Sequence, residues 1–313
     1  MTPAPDKIHR ILWAVDPFCR NKYLQRRAVK VIRSLIDKHP ALIEPVYVHS
    51  PQVLALPLEA VPFFLPNSFA IAEKKLNDFL NTLQLPGLMT PIFLSEPTGT
   101  MRNAVEKLLD HARATQSEVI VVSSSLKKGI DRMMMGSFVE TLLLHSDIPT
   151  IVVSPKTQIE GTISQVLFPT DFSDASKEIY EKVVRFAWSI GARVVLFHKV
   201  MFPTSYLFPY YPSEEVIREN TENARNLAET WTLDAGGAGV EVEVCIDDEA
   251  GEVSDGILKQ AKKMHSGVIA MASQSGPVLS SILGSVTRNV VRNASCPVWA
   301  IHVTKHVARR KAA

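Results

Sequence analysis

The sequence predicts an α/β protein made of two tandem, doubly wound, five-stranded parallel-sheet domains. Three observations carry that prediction. Short runs that are apolar throughout, rather than alternating, call for strands covered on both faces, as in a parallel sheet. These runs alternate with amphipathic stretches whose apolar residues recur at three- and four-residue spacing. The whole pattern then occurs twice: Gly136-Ser137 answers to Gly284-Ser285, and Pro149 to Pro297, at the same interval.

Each copy opens on an apolar run that ends in an aspartate, Ile11 to Asp16 and Val166 to Asp171. A helix follows. In the first copy Leu24, Ala28, Val31, Ile32, Leu35 and Ile36 form its apolar face; in the second, Ile179, Val183, Val184 and Ala187 do, with Ser173 as N-cap and Gly191 as stop. Strand two is Pro45 to His49 and Val194 to His198. A Pro- and aromatic-rich loop comes next in each, Pro51 to Pro66 and Phe202 to Pro212, of a length that usually marks a lid or contact surface. Helices are expected over roughly Asn67 to Leu83 and Ser213 to Leu233, then third strands at Pro91 to Leu94 and Val240 to Ile246. Amphipathic helices at Met101 to His111 and Val253 to Lys263 lead to strands at Val119 to Ser123 and Gly267 to Met271. A Gly-Ser turn, a short helix and a last strand close each copy. The polar connector Ser154 to Ser164 (SPKTQIEGTIS) separates them. The expected domains are 1–155 and 164–313, with 156–163 as linker.

Composition bounds the function. A chain of 313 residues with 46% hydrophobic and 21% charged residues is globular, and a net charge of +2 argues against nucleic acid as main partner. The three cysteines, Cys19, Cys245 and Cys296, form no CxxC and fit free thiols in a reducing compartment. No apolar run is long enough to span a bilayer, and the N-terminus lacks an apolar signal region. The expectation is a cytoplasmic protein with no membrane and no metal. Asp247, Asp248 and Glu249 read as an exposed acidic turn, because three neighbours in sequence cannot all face one ion.

In doubly wound sheets ligands bind beyond the carboxyl ends of the strands, where the winding reverses. The aspartates Asp16 and Asp171 and the Gly-Ser turns should meet there. A Gly-Ser turn at a helix start offers free backbone N–H groups and a hydroxyl to an anion. The structural alternative is that Ser137 and Ser285 are simply N-caps. Lys127, Lys128 and Arg132 read as a solvated loop, and Met133-Met134-Met135 as packing against the sheet. His49 and His198, at matching strand ends, read as sharing a structural hydrogen bond.

The segments VLFPTDFSDAS (Val166 to Ser176) and ILGSVTRNVVRNASCPVWAIH (Ile282 to His302) are similar to signatures of the universal stress protein family, and the chain resembles two copies of it over nearly its whole length. The resemblance implies the adenine nucleotide alpha hydrolase-like (Usp) fold in each copy. It also implies an internal pseudo-dimer paired through the last strands, Thr150 to Val153 and Val298 to His302. Nucleotide-binding members carry G-x2-G-x9-G-[S/T] between strand four and the last helix. Counting back from Gly136 places Leu126 and Ser123 where glycines would stand, with Gly129 out of register; from Gly284 the count reaches Gln274 and Met271, with Gly276 alone flanking. Side chains at such positions should force the loop outward.

Carried over position by position, the resemblance implies that Pro169 and Asp171 face base and ribose, and that Gly276, Gly284, Ser285 and Val286 face phosphates. Asp16, Gly136 and Ser137 are the first-copy counterparts, with Ala14 in place of Pro169. The family's base-contacting valine aligns with Lys199 and with Ser50. The implied ligand is ATP or AMP, in the second domain, and the implied role is stress-related regulation by binding rather than catalysis. The alternative is a non-nucleotide adaptor that contacts proteins through Tyr206, Phe208, Tyr210 and Tyr211. Weak ATP hydrolysis ranks last, since no residue reads as a positioned base. A dimer of chains is left open.

Overall fold

The computed structural model describes residues 7–19, 21–54, 61–97, 100–124, 127–129, 132–134, 136–201, 213–264, 267–273 and 283–302. The first half runs β1 (Arg10–Ala14), α1 (Lys22–Ile36), β2 (Leu42–His49), α2 (Pro51–Leu54), α3 (Val61–Leu80), β3 (Ile92–Ser95), α4 (Met101–Ala114) and β4 (Val119–Ser123). A small hairpin, β5 (Lys127–Gly129) and β6 (Arg132–Met134), precedes α5 (Ser137–His145) and β7 (Thr150–Val153). The second half runs β8 (Gln165–Pro169), α6 (Asp174–Ile190), β9 (Arg193–Lys199), α7 (Glu214–Gly236), β10 (Val242–Asp247), α8 (Val253–Lys263), β11 (Gly267–Ala272), α9 (Ser285–Asn293) and β12 (Val298–Ile301).

Among the described residues ten strands form one sheet, in the order β10-β9-β8-β11-β12-β7-β4-β1-β2-β3. Every neighbour pair is parallel except β12 with β7. That seam is the expected pairing of last strands, with Val298 opposite Val152, Trp299 opposite Ile151 and Ala300 opposite Thr150. In the first half the chain winds outward from β1 through β2 to β3, then returns through α4 to β4 on the other side of β1. The winding therefore reverses between β1 and β4, and between β8 and β11 in the second half.

The strands are apolar throughout because both faces are covered. Ile11 and Trp13 pack on the side of α1, α3, α6 and α7, while Leu12 and Ala14 pack on the side of α4, α5, α8 and α9. Each large apolar side chain buried this way contributes about 1.5–3 kcal/mol. The helix signals hold as well. Ser173 accepts a bond from Ser176 N at 3.2 Å, and α6 ends on Gly191 at φ +66°, a left-handed conformation that glycine adopts without a Cβ penalty. No helix among the described residues is long and apolar enough to cross a membrane.

Two stretches differ from expectation. The segment read as a loop up to Pro66 is partly helical: α2 begins at Pro51, and α3 begins at Val61 with Pro62 in its first turn, where a missing N–H costs nothing. Lys127 and Arg132 lie on a two-stranded antiparallel hairpin, not in a plain loop. The connector is also less solvated than its composition suggests. Thr157 and Ile163 are buried, Thr157 Oγ1 accepts from Ser154 N at 2.9 Å, and Gln158 N donates to Ser295 O at 2.7 Å across the seam.

Candidate functional site

The first-half crevice is built where β1 and β4 end. Val15 N bonds Val46 O at 2.9 Å, so the chain leaves the sheet two residues past the end of β1, at Asp16. The carboxylate of Asp16 accepts from Phe18 N at 2.8 Å, and Gln25 Nε2 holds the Asp16 carbonyl at 2.6 Å. Opposite, α5 starts at Ser137 with Gly136 as its N-cap and no side-chain cap. Asp16, Gly136 and Ser137 line one cavity of 120 Å³. Its remaining wall is mainly apolar, with Ala14, Val46, Val48 and Val122 among the lining residues. A concave, mainly apolar space with polar groups gathered at one side is the usual form of a small-molecule site.

In the second half the corresponding residues occupy the same rim. Pro169 ends β8 and Asp171 follows it; Gly284 caps α9, and Ser285 and Val286 open the helix. β8 and β11 are adjacent and parallel, so both groups sit at the carboxyl edge. Thr287 Oγ1 donates to Ala272 O at 3.0 Å and ties the first turn of α9 to the end of β11. Gly276, the remaining candidate, lies outside the described residues, as do Leu126, Gln274, Met135 and the aromatic group Tyr206, Phe208, Tyr210 and Tyr211.

The two aspartates differ electrostatically. Both carboxylates are exposed at the rim, yet the protein atoms packed around them displace part of their water. That partial desolvation pushes the pKa of Asp16 up, only partly offset by the Phe18 N–H and by Lys75. It acts on Asp171 too, but the Ser176 hydroxyl (2.5 Å to Oδ1) and the Ser173 N–H (3.0 Å) outweigh it, and the net shift is downward. Sequence explains the contrast: the serines of Asp171-Phe172-Ser173-Asp174-Ala175-Ser176 are replaced by Phe18 and Asn21 in the first copy. Phe172 itself adopts φ +58°, a costly conformation for a bulky residue, and packs edge-on against Trp231 with centroids 5.2 Å apart.

Several expectations are corrected by this geometry. Ser137 and Ser285 are not N-caps: Gly136 and Gly284 are, without side-chain cap bonds, so both serines stand at the first helical position with exposed side chains. His49 and His198 do not share a bond type. His49 Nε2 meets Ser68 Oγ at 2.8 Å, whereas His198 Nδ1 meets the Thr170 carbonyl at 2.8 Å. Asp247 is not part of a free acidic turn, because its Oδ2 lies 3.1 Å from Nζ of the buried Lys199, which also donates to Glu249 O at 2.6 Å. Among the described residues no group of three or more His, Cys, Asp or Glu side chains is placed to hold a metal ion.

The halves also differ in what stands next to the crevice. By the internal repeat that matches His49 to His198, Phe197 takes the place of Val48 and Lys199 that of Ser50. Phe197 and Lys199 converge on Gly256 of α8, where a Cβ would come within 3.2 Å of the ring and 3.0 Å of Lys199 Cδ.

Known proteins agree with this architecture. The profile of the universal stress protein family matches residues 7–154 and again 162–302. Universal stress protein MJ0531 of Methanocaldococcus jannaschii is 27% identical over 155 residues, covering 47% of this chain and 86% of its own length. A universal stress protein from Archaeoglobus fulgidus superposes with a TM-score of 0.67 at 16% identity, over 96% of this chain and 100% of that one. A functionally unknown protein from Pseudomonas aeruginosa PAO1 does so with a TM-score of 0.61 at 11% identity, over 97% and 96%. With two profile matches that together span most of its length, and a fold shared end to end with such structures, the chain belongs to the universal stress protein family.

Proposed function

We propose that this protein is a regulatory binding protein that takes an adenine nucleotide, AMP or ATP, at the carboxyl rim of its sheet. The sequence directs attention to the second half, through Pro169, Asp171, Gly284, Ser285 and Val286. The described residues add one observation in the first half, and it carries this reading: Asp16, Gly136 and Ser137 border a single largely apolar cavity. An apolar cavity of about 150 Å³ accepts a benzene ring. The 120 Å³ here is somewhat smaller than that and well below the roughly 300 Å³ at which whole-ligand sites begin. One ring of the two-ring base would enter, and the rest of the base, the ribose and the phosphates would lie over the rim. There Asp16 accepts from sugar hydroxyls, while the Ser137 hydroxyl and the free amides of the first turn of α5 meet phosphate.

The reading is of binding without chemistry. Among the described residues Asp16 is the one carboxylate that lines the cavity, and no histidine or lysine lines it with Asp16, so no acid–base pair faces the ligand there. Titration calorimetry and thermal melts with AMP and ATP test the proposal. A ligand at a hundred times its Kd should add about 2.7 kcal/mol of stability. That gain should vanish in Asp16→Ala and persist in Asp171→Ala. No stabilisation by either nucleotide at millimolar concentration would remove the proposal and leave the fold untouched.

A further inference from the structure

β10 is an outer strand of the sheet and, among the described residues, pairs only with β9. Val194 N bonds Glu241 O and Val200 N bonds Asp247 O, so the odd-numbered residues of this strand turn their backbone groups inward. In a strand the groups of alternate residues point to opposite sides. Val242, Val244 and Ile246 therefore present their N–H and C=O groups to the open edge. Val244 is 38% exposed there.

Above and below this edge α7 and α8 stand back, leaving a trough of 760 Å³ walled by Arg225 and Glu229 on one side and Lys263 on the other. Of β10, Glu243 to Ile246 line the trough, which opens outward. Its backbone selects the kind of occupant: the outward N–H and C=O groups can pair with an extended segment, whose own groups are free on one side, and not with a helix, whose backbone groups are bonded internally.

The charge selects it further. Arg193 is engaged by Glu243 at 3.3 Å and Glu241 at 3.9 Å. Arg225 and Lys263 are exposed and form no ion pair or hydrogen bond among the described residues, so each wall carries one cation left unpaired, while Glu241 and Glu243 are taken up by Arg193. Val242 packs toward the α7 layer and Cys245 toward the α8 layer, and the side chains of an added strand must alternate between the same two walls. Acidic residues at two consecutive positions would thus meet Arg225 and Lys263 respectively.

We propose that β10 is a docking edge for an extended, acidic peptide segment of a partner protein, added as an eleventh strand. Backbone pairing with Val242, Val244 and Ile246 supplies the affinity, and Arg225 and Lys263 supply the preference for acid. The trough lies on the outer edge of the second half, and the inference stands independently of nucleotide binding. The other outer strand, β3, has four residues and offers a shorter ladder.

Fluorescence polarisation with the full chain and a labelled, end-blocked Thr-Val-Glu-Asp-Val-Thr peptide tests the proposal, with Thr-Val-Lys-Arg-Val-Thr as control. The acidic peptide should bind at least about tenfold more tightly, and Arg225→Glu with Lys263→Glu should reverse that order. Val244→Pro removes an N–H that faces outward, so it should leave the ladder to β9 intact yet abolish binding. Hydrogen exchange on the unliganded chain gives a second readout, with Val244 exchanging fast and Cys245 protected. The proposal is overturned by absence of binding at millimolar peptide, by equal binding of both peptides, or by binding that survives Val244→Pro in a folded variant. Sedimentation showing that the edge is instead filled by a second copy, in a dimer lost in Val244→Pro, would also overturn it.

Discussion

Replacing Asp247 by Ala should strand a buried ammonium. The Lys199 side chain is 4% exposed and that of Asp247 14% exposed, and their charged atoms are 3.1 Å apart. Removing one partner of such a pair costs about 3–5 kcal/mol, because the other charge stays in a poorly solvated place. Lys199 retains its bond to Glu249 O, so the lower end applies, about 3 kcal/mol. Lys199→Met substitutes a chain of similar length. It leaves Asp247 with partial solvent access and the Glu249 N–H bond at 3.0 Å, so its cost should be about 1 kcal/mol. In the Lys199→Met background Asp247→Ala should cost little more. At roughly 2 °C per kcal/mol for a chain of this size, the single Asp247→Ala variant melts on the order of 6 °C lower. Circular-dichroism melts of the three variants and the parent measure this directly. If Asp247→Ala costs under about 1 kcal/mol, or if the two single costs simply add in the double variant, the pair is not energetically coupled and the reasoning fails.

Gly256→Ala should also lose stability. The roughly 1 kcal/mol gained in helix propensity is opposed by a Cβ placed 2.6 Å from Asp247 Oδ2. At the seam, Glu140 of α5 and Arg288 of α9 hold equivalent places in the two copies and meet at 3.0 Å. Glu140→Arg should destabilise, and adding Arg288→Glu should restore about 0.5–1 kcal/mol in a double-mutant cycle. The aspartates predict opposite pH behaviour. The lowered pKa of Asp171 means that its stabilisation is present above the ordinary 3.8 and is lost as pH falls through its lower folded value. Asp171→Asn should therefore melt lower than the parent at pH 7, with the gap closing below pH 3.8. The raised pKa of Asp16 imposes a cost that grows as pH rises from 3.8 through its folded value, so unliganded Asp16→Asn should melt higher than the parent at pH 7.

The sheet was legible because its signals are local and repeated. Apolar runs such as Val119–Ser123, Ser173 as a cap and Gly191 as a stop each specify their own few residues, and the second copy repeats the order of the first. The helical start at Val61 was hidden by Pro62 and its neighbours, whose usual meaning is loop unless they fall in a first turn. The hairpin at Lys127–Gly129 and Arg132–Met134 has too few residues to show a period. At the site, sequence identified the residues but not their division of labour. Whether Asp16 or Asp171 is the better ionised follows from the serines placed two and five residues on, which is legible in hindsight. The pairing of Lys199 with Asp247 was not, since it arises from the β9–β10 register, which brings together residues distant in the chain.

The most direct measurement is backbone NMR of the full chain titrated with AMP. The account predicts saturable shifts at Val46, Val48, Asp16, Ser137 and Phe138, which surround the first-half cavity, with Gly284, Ser285 and Val286 unmoved. Shifts confined to Gly284, Ser285 and Val286, or none at all, would contradict it.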